Sequence, residues 1–279
     1  MIARVFPRRT NATPDDELVF IGEPPQLIDI PAIADEIHVS VTFTYDIQQA
    51  ERLARYWECF GLPVKIGGPA YKQPAGEFVP GLYLGKGNTI TSRGCPNKCW
   101  FCSVPKVYKG LTELEIKDGW IIQDDNLLAC SENHIKAVFE MLKRQPEKPI
   151  FTGGLEAKIL KEWHVGLIAD AKTARMYFAY DTPDDYEPLV EAGKLLSRYN
   201  LGLNTRKACA YVLCGYPKDT FELAEERLIE VLQAGLFPYA MLYKDEQGNE
   251  NRAWRQFQRQ WVNPWIIVSN NKEYFKGGD

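Results

Sequence analysis

The spacing of apolar residues predicts a strand, a helix and a second strand in the first part of the chain. Apolar and polar residues alternate over residues 37–43, which is typical of a strand with one buried face. Asp46 then precedes a helix, and Gln49 stands at the capping-box position three residues later. The helix carries an apolar stripe of Ile47, Ala50, Leu53, Ala54 and Trp57. With a strand over residues 62–66, these lengths predict a βαβ crossover and therefore a parallel pair of strands.

From residue 88 the pattern of strand followed by helix repeats six times. The candidate strands are residues 89–91, 120–123, 149–152, 176–180, 208–213 and 238–243. Apolar stripes at helical spacing lie between them, for example Ile135, Val138, Phe139 and Leu142. This alternation predicts an α/β domain with a parallel sheet, and six units predict a partial (βα)6 barrel.

The chain is therefore expected to contain three units. Residues 1–87 form a small α/β unit that ends in a connector rich in Gly, Pro and Lys, and residues 88–248 form the partial barrel. Residues 249–279 form a C-terminal helix and tail. The aromatic residues of this helix alternate with arginines, a pattern that could stack nucleobases. Because Trp254, Phe257 and Trp261 fall at helical spacing, we favour a stripe that packs against the core.

Composition and charge narrow the class of protein. Hydrophobic residues make up 45% and charged residues 25% of the chain, as in an ordinary globular protein. The net charge of -4 provides no basic field for phosphate backbones, so nucleic acid binding is possible but not indicated. No stretch is long and apolar enough for a membrane span, and the first residues do not resemble a signal peptide. We expect no membrane partner and a cytoplasmic location.

Three cysteines with the spacing C-x3-C-x2-C carry the most specific chemical signal. Cys95, Cys99 and Cys102 can hold three irons of a [4Fe-4S] cube and leave the fourth iron without a protein ligand. A structural zinc site normally has four ligands, and no second cysteine or histidine pair lies nearby. A disulfide framework is disfavoured because seven cysteines are few for this length and odd in number. The spacing therefore favours an iron-sulfur cluster.

With Arg93-Gly94 before the first cysteine and Phe101 before the third, the chain resembles the radical S-adenosylmethionine (SAM) superfamily. The likeness extends over nearly the whole length to radical SAM proteins of phage and prophage genomes. It implies a partial barrel in which SAM chelates the open iron, with Phe101 close to this cofactor. It also implies cleavage of SAM to a 5′-deoxyadenosyl radical that abstracts hydrogen from an unidentified substrate. An electron donor such as flavodoxin or ferredoxin would reduce the cluster, and no catalytic side chain is identified.

Acidic residues at two predicted strand ends are candidates to bind the α-ammonium group of SAM. Asp124 and Asp125 follow the second strand, and the third ends in Gly153-Gly154-Leu155-Glu156. The latter resembles the Gly-Gly-Glu element that binds the SAM amino group, although Leu155 displaces the glutamate and the strand is the third rather than the second. The ammonium role therefore stays open between Asp124 or Asp125 and Glu156.

The fourth and fifth strands end in further candidates. Asp181 resembles the acid of the Gly-x-Glu-Ser element in cobalamin-linked members, and this likeness implies contact with ribose hydroxyls or a cationic partner. Gly215 belongs to a turn similar to the Gly-Phe-Pro element that lies beside the adenine. Cys130 and Cys214 lie near these predicted loops and are possible redox or radical partners, whereas Cys59 and Cys209 are expected to be small buried residues.

The resemblance also bears on the branch of the superfamily. Residues 102–110 are similar to a run in methylthiotransferases, but the first 90 residues contain only Cys59, which disfavours methylthio transfer. The first unit resembles a shortened cobalamin-binding domain. With two or three predicted strands it is expected to be a cap that binds no cobalamin. Two alternatives remain: radical methyl or methylthio transfer to RNA or a nucleobase compound, and a non-enzymatic iron-sulfur or zinc interaction module.

Overall fold

The computed structural model describes residues 1–74, 76–245 and 247–275, and it shows a mixed α/β protein with parallel sheets. In the described part of the first unit, one parallel sheet has the strand order β2-β1-β3-β4. We call it the N-terminal sheet. Its strands are β1 (Ile2–Phe6), β2 (Val19–Ile21), β3 (Glu36–Ser40) and β4 (Val64–Gly67), and its helices are α1 (Ile30–Ile33) and α2 (Ile47–Trp57).

The predicted βαβ unit is confirmed, because β3 and β4 pair in parallel around α2. The apolar stripe of α2 packs in a separate core with β1 and β3, which contains Val5, Val39 and the fully buried Trp57. The expected number of strands is wrong: the described residues of this unit form four strands rather than two or three. The pattern did not reveal β1 because Arg4 interrupts its apolar residues, although Arg4 is itself buried.

The predicted capping box at α2 is also wrong. Asp46 stands at the N-cap, but its side chain accepts no hydrogen bond from the described first turn of the helix. Instead it receives the Arg8 guanidinium, with Nε at 2.7 Å from Oδ2 and a second nitrogen on Oδ1. Gln49 donates to the carbonyl of Pro7 at 3.3 Å. A two-pronged arginine–carboxylate contact is stronger than a neutral cap, so the carboxylate turns away from the helix.

A second parallel sheet, which we call the large sheet, contains six of the strands described after residue 87. Its strands stand side by side in chain order, and each of the predicted strands overlaps an observed one. They are β5 (Asn88–Thr89), β8 (Ile121–Ile122), β9 (Ile150–Leu155), β10 (Arg175–Ala179), β11 (Ala208–Cys214) and β12 (Phe237–Leu242). Between β5 and β8 lies a short antiparallel hairpin, β6 (Ser92–Arg93) and β7 (Thr112–Glu113).

Helices follow the strands of the large sheet and bury their apolar stripes against it. The short helix α3 (Val104–Val107) is different, because it lies between β6 and β7 and has no buried residue. The helices that pack on the sheet are α4 (Glu132–Lys143), α5 (Glu162–Asp170), α6 (Tyr186–Arg198), α7 (Phe221–Gln233), α8 (Arg252–Val262) and α9 (Pro264–Asn270). One continuous core contains, for example, Phe139 of α4 and Phe178 of β10, both without solvent exposure. No helix in the described ranges has the length and apolar character that a membrane crossing needs.

The C-terminal region departs from the expected single helix and tail. It continues from α8 into α9 and then a 3-10 turn, Lys272–Phe275. The packing role predicted for the aromatic stripe is confirmed: Trp261 is buried, and Trp254 and Phe257 pack against the same core. Residues 276–279 of the predicted tail lie outside the described residues.

Candidate functional site

The three cysteines of the motif lie in one loop whose two ends are joined by the β6–β7 hairpin. Ser92 pairs with Glu113 and Arg93 with Thr112, so residues 94–111 form a closed loop. This cysteine loop begins just after β5, at the edge where the strands of the large sheet end. Within it, the Cys102 amide donates to the carbonyl of Cys99 at 3.1 Å and forms a tight turn. The hairpin therefore fixes the base of the loop at the edge where α/β proteins bind ligands.

Asp124 anchors the start of this loop. Its carboxylate accepts hydrogen bonds from the Thr91 amide at 2.6 Å, the Thr91 hydroxyl at 2.6 Å and the Ser92 hydroxyl at 2.7 Å. The residue is only 2% exposed. Burial raises the pKa of this carboxyl, and the hydrogen bonds from Thr91 and Ser92 act in the opposite direction. Asp125 adds a second anchor, since its Oδ2 accepts from the Gly94 amide at 2.7 Å.

Two glycines allow the backbone to pack closely around these anchors. Gly94 has φ +87°, and a Cβ there would lie 1.7 Å from the carbonyl oxygen of Gly110. A Cβ on Gly153 would lie 1.9 Å from the carbonyl oxygen of Asp124. Both glycines of the predicted Gly-Gly element lie within β9 rather than after it, and the pairing of β9 with β10 shifts register there. This bulge places Glu156 directly after the strand.

Asn126 links Glu156 to the cysteine loop. Its side-chain nitrogen donates to Oε2 of Glu156 at 2.7 Å and lies 3.4 Å from Sγ of Cys95. The residue is 3% exposed. Sequence reasoning did not single out Asn126, although its position directly after two acids at a strand end is a signal that could have found it. The structure thus brings Glu156 and Cys95 to the two sides of one buried amide.

Asp181 and Gly215 lie at the ends of the neighbouring strands. Oδ1 of Asp181 accepts from the Leu213 amide at 3.0 Å, and burial raises the pKa of this carboxyl to about 6. Gly215 has φ +78°, and a Cβ there would lie 2.9 Å from the ring of Trp254. Its amide donates to Asp219 at 2.8 Å, and Asp219 in turn pairs with Arg227 at 3.0 Å. Asp219 and Arg227 were not predicted as site residues, because their contact depends on how α7 returns to β11.

The tip of the cysteine loop reaches the turn that follows β11. Trp100, which is 60% exposed, makes edge-on contacts with Phe101 at 5.4 Å and with Tyr216 at 5.6 Å between ring centroids. Below the loop lies a cavity of ≈ 600 Å³. Its lining includes Asn11, Asn88, Gln123, Asp125, Thr152 and Gly154. The cavity therefore joins the predicted ligand-binding strand ends to the first unit of the chain.

The thiols of the motif are near one another and accessible. Cys99 is exposed, and Cys95 and Cys102 are half-buried. Burial first, and the neighbouring thiols of Cys102 and Cys95 next, raise the pKa of the Cys99 thiol. Among the described residues, no three His, Cys, Asp or Glu side chains are gathered as a metal site. Binding a cluster would therefore require the cysteine side chains to rotate toward one another.

The remaining cysteines differ in their surroundings. Cys130 and Cys214 are buried, and burial raises the pKa of their thiols to about 11 and about 12. A raised pKa favours the protonated thiol at neutral pH, which disfavours thiolate chemistry such as disulfide exchange. Cys209 is buried as expected, but Cys59 is exposed, so the expectation that it is buried is wrong.

No family model matches the chain, and no curated protein matches it.

Proposed function

We propose that this chain is a radical SAM enzyme in which Cys95, Cys99 and Cys102 hold a [4Fe-4S] cluster. The observation that carries the proposal is that a closed loop places three thiols at the edge of the large sheet where its strands end. The donor set fits the group, because residues 94–111 contain no His, Asp or Glu and thiolates are the usual ligands of such clusters. When bound, the reduced cluster supplies the electron that cleaves SAM.

Among the candidate acids, Glu156 is the one we propose for the α-ammonium group of SAM. Asp124 is occupied by three donors from the start of the cysteine loop, and Asp125 by the Gly94 amide. Both are therefore positioning residues for the loop. Glu156 lies beside the loop and accepts its hydrogen bond from a side chain, Asn126. Its remaining acceptor positions are suited to an ammonium ion.

The other predicted contacts keep their roles within this proposal. Asp181, at the end of β10, is assigned to the ribose hydroxyls, and the turn at Gly215 to the adenine. Phe101 and the backbone at Gly153 and Gly154 border the same edge. The substrate, whose identity stays open, would enter the cavity of ≈ 600 Å³ below the loop.

The architecture we propose is a partial (βα)6 barrel over residues 88–248, capped by residues 1–87. The strand order of the large sheet supports it, since parallel strands follow one another in chain order as in a barrel wall. Contacts between the two units support the cap: Lys244 lies over the Tyr45 ring at 5.3 Å, and the Lys117 ammonium lies 3.7 Å from the Glu77 carboxylate. We propose a cytoplasmic enzyme that receives electrons from a donor such as flavodoxin or ferredoxin.

We expect no cobalamin at the N-terminal sheet, but for a reason other than strand number. Parallel sheets bind ligands at the carboxyl ends of their strands. At this edge of the N-terminal sheet, Arg8, which follows β1, pairs with Asp46, which follows β3. Asp46 is only 2% exposed. A Cβ on Gly68 after β4 would lie 2.5 Å from the carbonyl oxygen of Val41. These contacts fill the edge on which a corrin ring would have to lie.

The experiment is anaerobic reconstitution of the protein with iron and sulfide. We expect about four irons and four sulfides per chain, as in a single [4Fe-4S] cube. After reduction with dithionite, the protein should convert SAM slowly to 5′-deoxyadenosine, measured by chromatography. The substitutions Cys95→Ala, Cys99→Ala and Cys102→Ala should each abolish both signals. Cys59→Ala is the matched control, because this thiol is exposed but lies outside the loop.

Two results would reject the proposal. One is zinc in place of iron in the reconstituted protein, which would favour the interaction module. The other is full retention of iron when all three cysteines of the loop are replaced. Iron without cleavage of SAM would keep the cluster and reject the enzymatic part.

A further inference from the structure

The side-chain amide of Asn126 lies between the two groups on which the proposed function rests. One N–H direction points to Sγ of Cys95 at 3.4 Å and the other to Oε2 of Glu156 at 2.7 Å. These partners are 31 residues before and 30 residues after it in the chain. No local sequence relation connects the three residues, so the fold itself creates this arrangement.

The chemistry of the neighbours fixes the orientation of this amide. Both neighbours, a thiolate and a carboxylate, are hydrogen-bond acceptors when ionised. An inverted amide would place its oxygen against the Glu156 carboxylate and lose both contacts. The nitrogen therefore faces Cys95 and Glu156, and the amide oxygen points elsewhere.

The oxygen of the same amide has no hydrogen-bond partner in the described part of the chain. Oδ1 of Asn126 is buried and accepts no hydrogen bond from any residue that the structure describes. Buried acceptors are normally paired, and an unpaired one costs free energy. An unpaired acceptor on the same amide that holds Glu156 is suited to a ligand that donates hydrogen bonds, as an ammonium group does.

We propose that Asn126 is a positioning and binding residue that joins the cluster ligand Cys95 to the SAM-binding carboxylate Glu156. This inference rests on the proposed function. Its two N–H groups hold the Cys95 thiolate and the Glu156 carboxylate, and its oxygen accepts from the α-ammonium of SAM. Hydrogen bonds to cluster sulfurs raise the reduction potential, because they stabilise the more negative reduced state. Asn126 thus sets the cluster potential and SAM affinity together.

The test compares variants of the reconstituted holoprotein by two measurements that do not depend on turnover. The midpoint potential of the cluster is measured by a redox titration followed by electron paramagnetic resonance. The Kd for SAM is measured by calorimetry. Asn126→Leu removes both donors and the acceptor at similar size. Asn271→Leu is the matched control, because Asn271 is another buried amide that donates to a carbonyl, that of Ile267 at 2.9 Å.

We expect Asn126→Leu to lower the midpoint potential and to weaken SAM binding about tenfold, the effect of losing one charge-assisted hydrogen bond. Asn271→Leu should leave both values at those of the parent. Glu156→Gln should weaken SAM binding without lowering the potential, since it removes a negative charge and leaves the Asn126 donor to Cys95 in place. If Asn126→Leu fails to fold, the nearly isosteric Asn126→Asp should still lower the potential, because it replaces the donor by a carboxylate.

The inference is overturned if Asn126→Leu, or Asn126→Asp in its place, has the potential of the parent. It is also overturned if Asn126→Leu changes the potential but binds SAM like the parent, since the two effects would then be separate. A parent protein that holds no four-iron cluster would instead reject the proposed function itself.

Discussion

Two neighbouring glycines of β9 offer a sharp test of how the strand supports the cysteine loop. A Cβ on Gly153 would lie 1.9 Å from the Asp124 carbonyl oxygen and 2.9 Å from its carbonyl carbon. A Cβ on Gly154 would meet no described atom within 4 Å. Neither glycine has a positive φ, so alanine is sterically allowed by the backbone at both positions. The two substitutions therefore differ mainly in the space available to one methyl group.

The structure sets the size of the expected difference. Gly153→Ala requires β9 and the Asp124 segment to separate by about 1 Å, because atoms other than hydrogen rarely approach within about 3 Å without bonding. Asp124 cannot move freely, since its side chain holds Thr91 and Ser92. Overpacking of this kind costs about 1–3 kcal/mol. Gly154→Ala should instead be neutral or stabilising by about 0.4–1 kcal/mol, through the lower entropy of the unfolded chain.

The assay is urea denaturation of the cluster-free protein, followed by circular dichroism, for the parent and both variants. We expect a lower free energy of unfolding for Gly153→Ala than for Gly154→Ala, by about 1–4 kcal/mol from the two contributions together. Iron content after reconstitution should also fall in Gly153→Ala, because the displaced segment anchors the cysteine loop. Equal unfolding free energies for the two variants would refute the reasoning about this contact.

Two further predictions concern acid stability and cobalamin. Nδ1 of His164 accepts from the Lys161 amide at 3.0 Å, and burial lowers the pKa of this histidine from 6.5 to about 4. The unfolded chain therefore binds a proton at His164 at higher pH than the folded protein does, and the free energy of unfolding should fall as the pH is lowered from about 6.5 to about 4. Urea titrations at several pH values should show a flatter dependence for His164→Asn. The same pH dependence in the parent and the variant would contradict this prediction. Protein expressed with hydroxocobalamin should show cluster absorbance alone after gel filtration, whereas a stoichiometric corrin signal would favour radical methyl transfer.

The large sheet was predictable because each of its main strands is a short buried run followed by a helix with an apolar stripe. The predicted and observed bounds of β11, for example, differ by one residue. The β6–β7 hairpin was not predicted, since its strands have two residues each and show no alternation. The sequence predicts that the third strand ends at residue 152, before the two glycines, whereas β9 runs through them in a bulge to Leu155.

The N-terminal strands show a different limit of sequence patterns. The side chain of Arg4, in the middle of β1, donates to the carbonyls of Gly81 and Leu82 at 3.2 Å and also pairs with Asp16. A buried charge with such partners is stable, but a pattern that counts arginine as exposed does not recognise the strand. The partners of Arg4 lie up to 78 residues away in the chain, so no local window contains them.

In the candidate site, too, some residues are recognisable from the local sequence and others depend on long-range contacts. The cysteine motif is recognisable in the sequence because its three residues stand within eight positions of one another. The residues that contact these cysteines are not recognisable from the sequence, because Asn126 contacts Cys95 and Glu156 across about 30 residues on either side. Asp219 and Arg227 likewise needed the position of α7 relative to β11. The cysteine motif was therefore predictable from the sequence, whereas the side chains that position it were not.

The acids at strand ends share a feature that local rules do not capture. Local rules assign such residues to helix caps, yet here their carboxylates bind backbone or side-chain donors of another loop. The pairs are Asp46 with Arg8, Asp124 with Thr91 and Ser92, and Asp125 with Gly94. A carboxylate that accepts such hydrogen bonds fixes the loops at the ends of the strands and has few acceptor positions left for a ligand. Glu156 differs, because a buried side-chain amide with an unpaired oxygen holds it, and this difference makes it the better candidate for a bound cation.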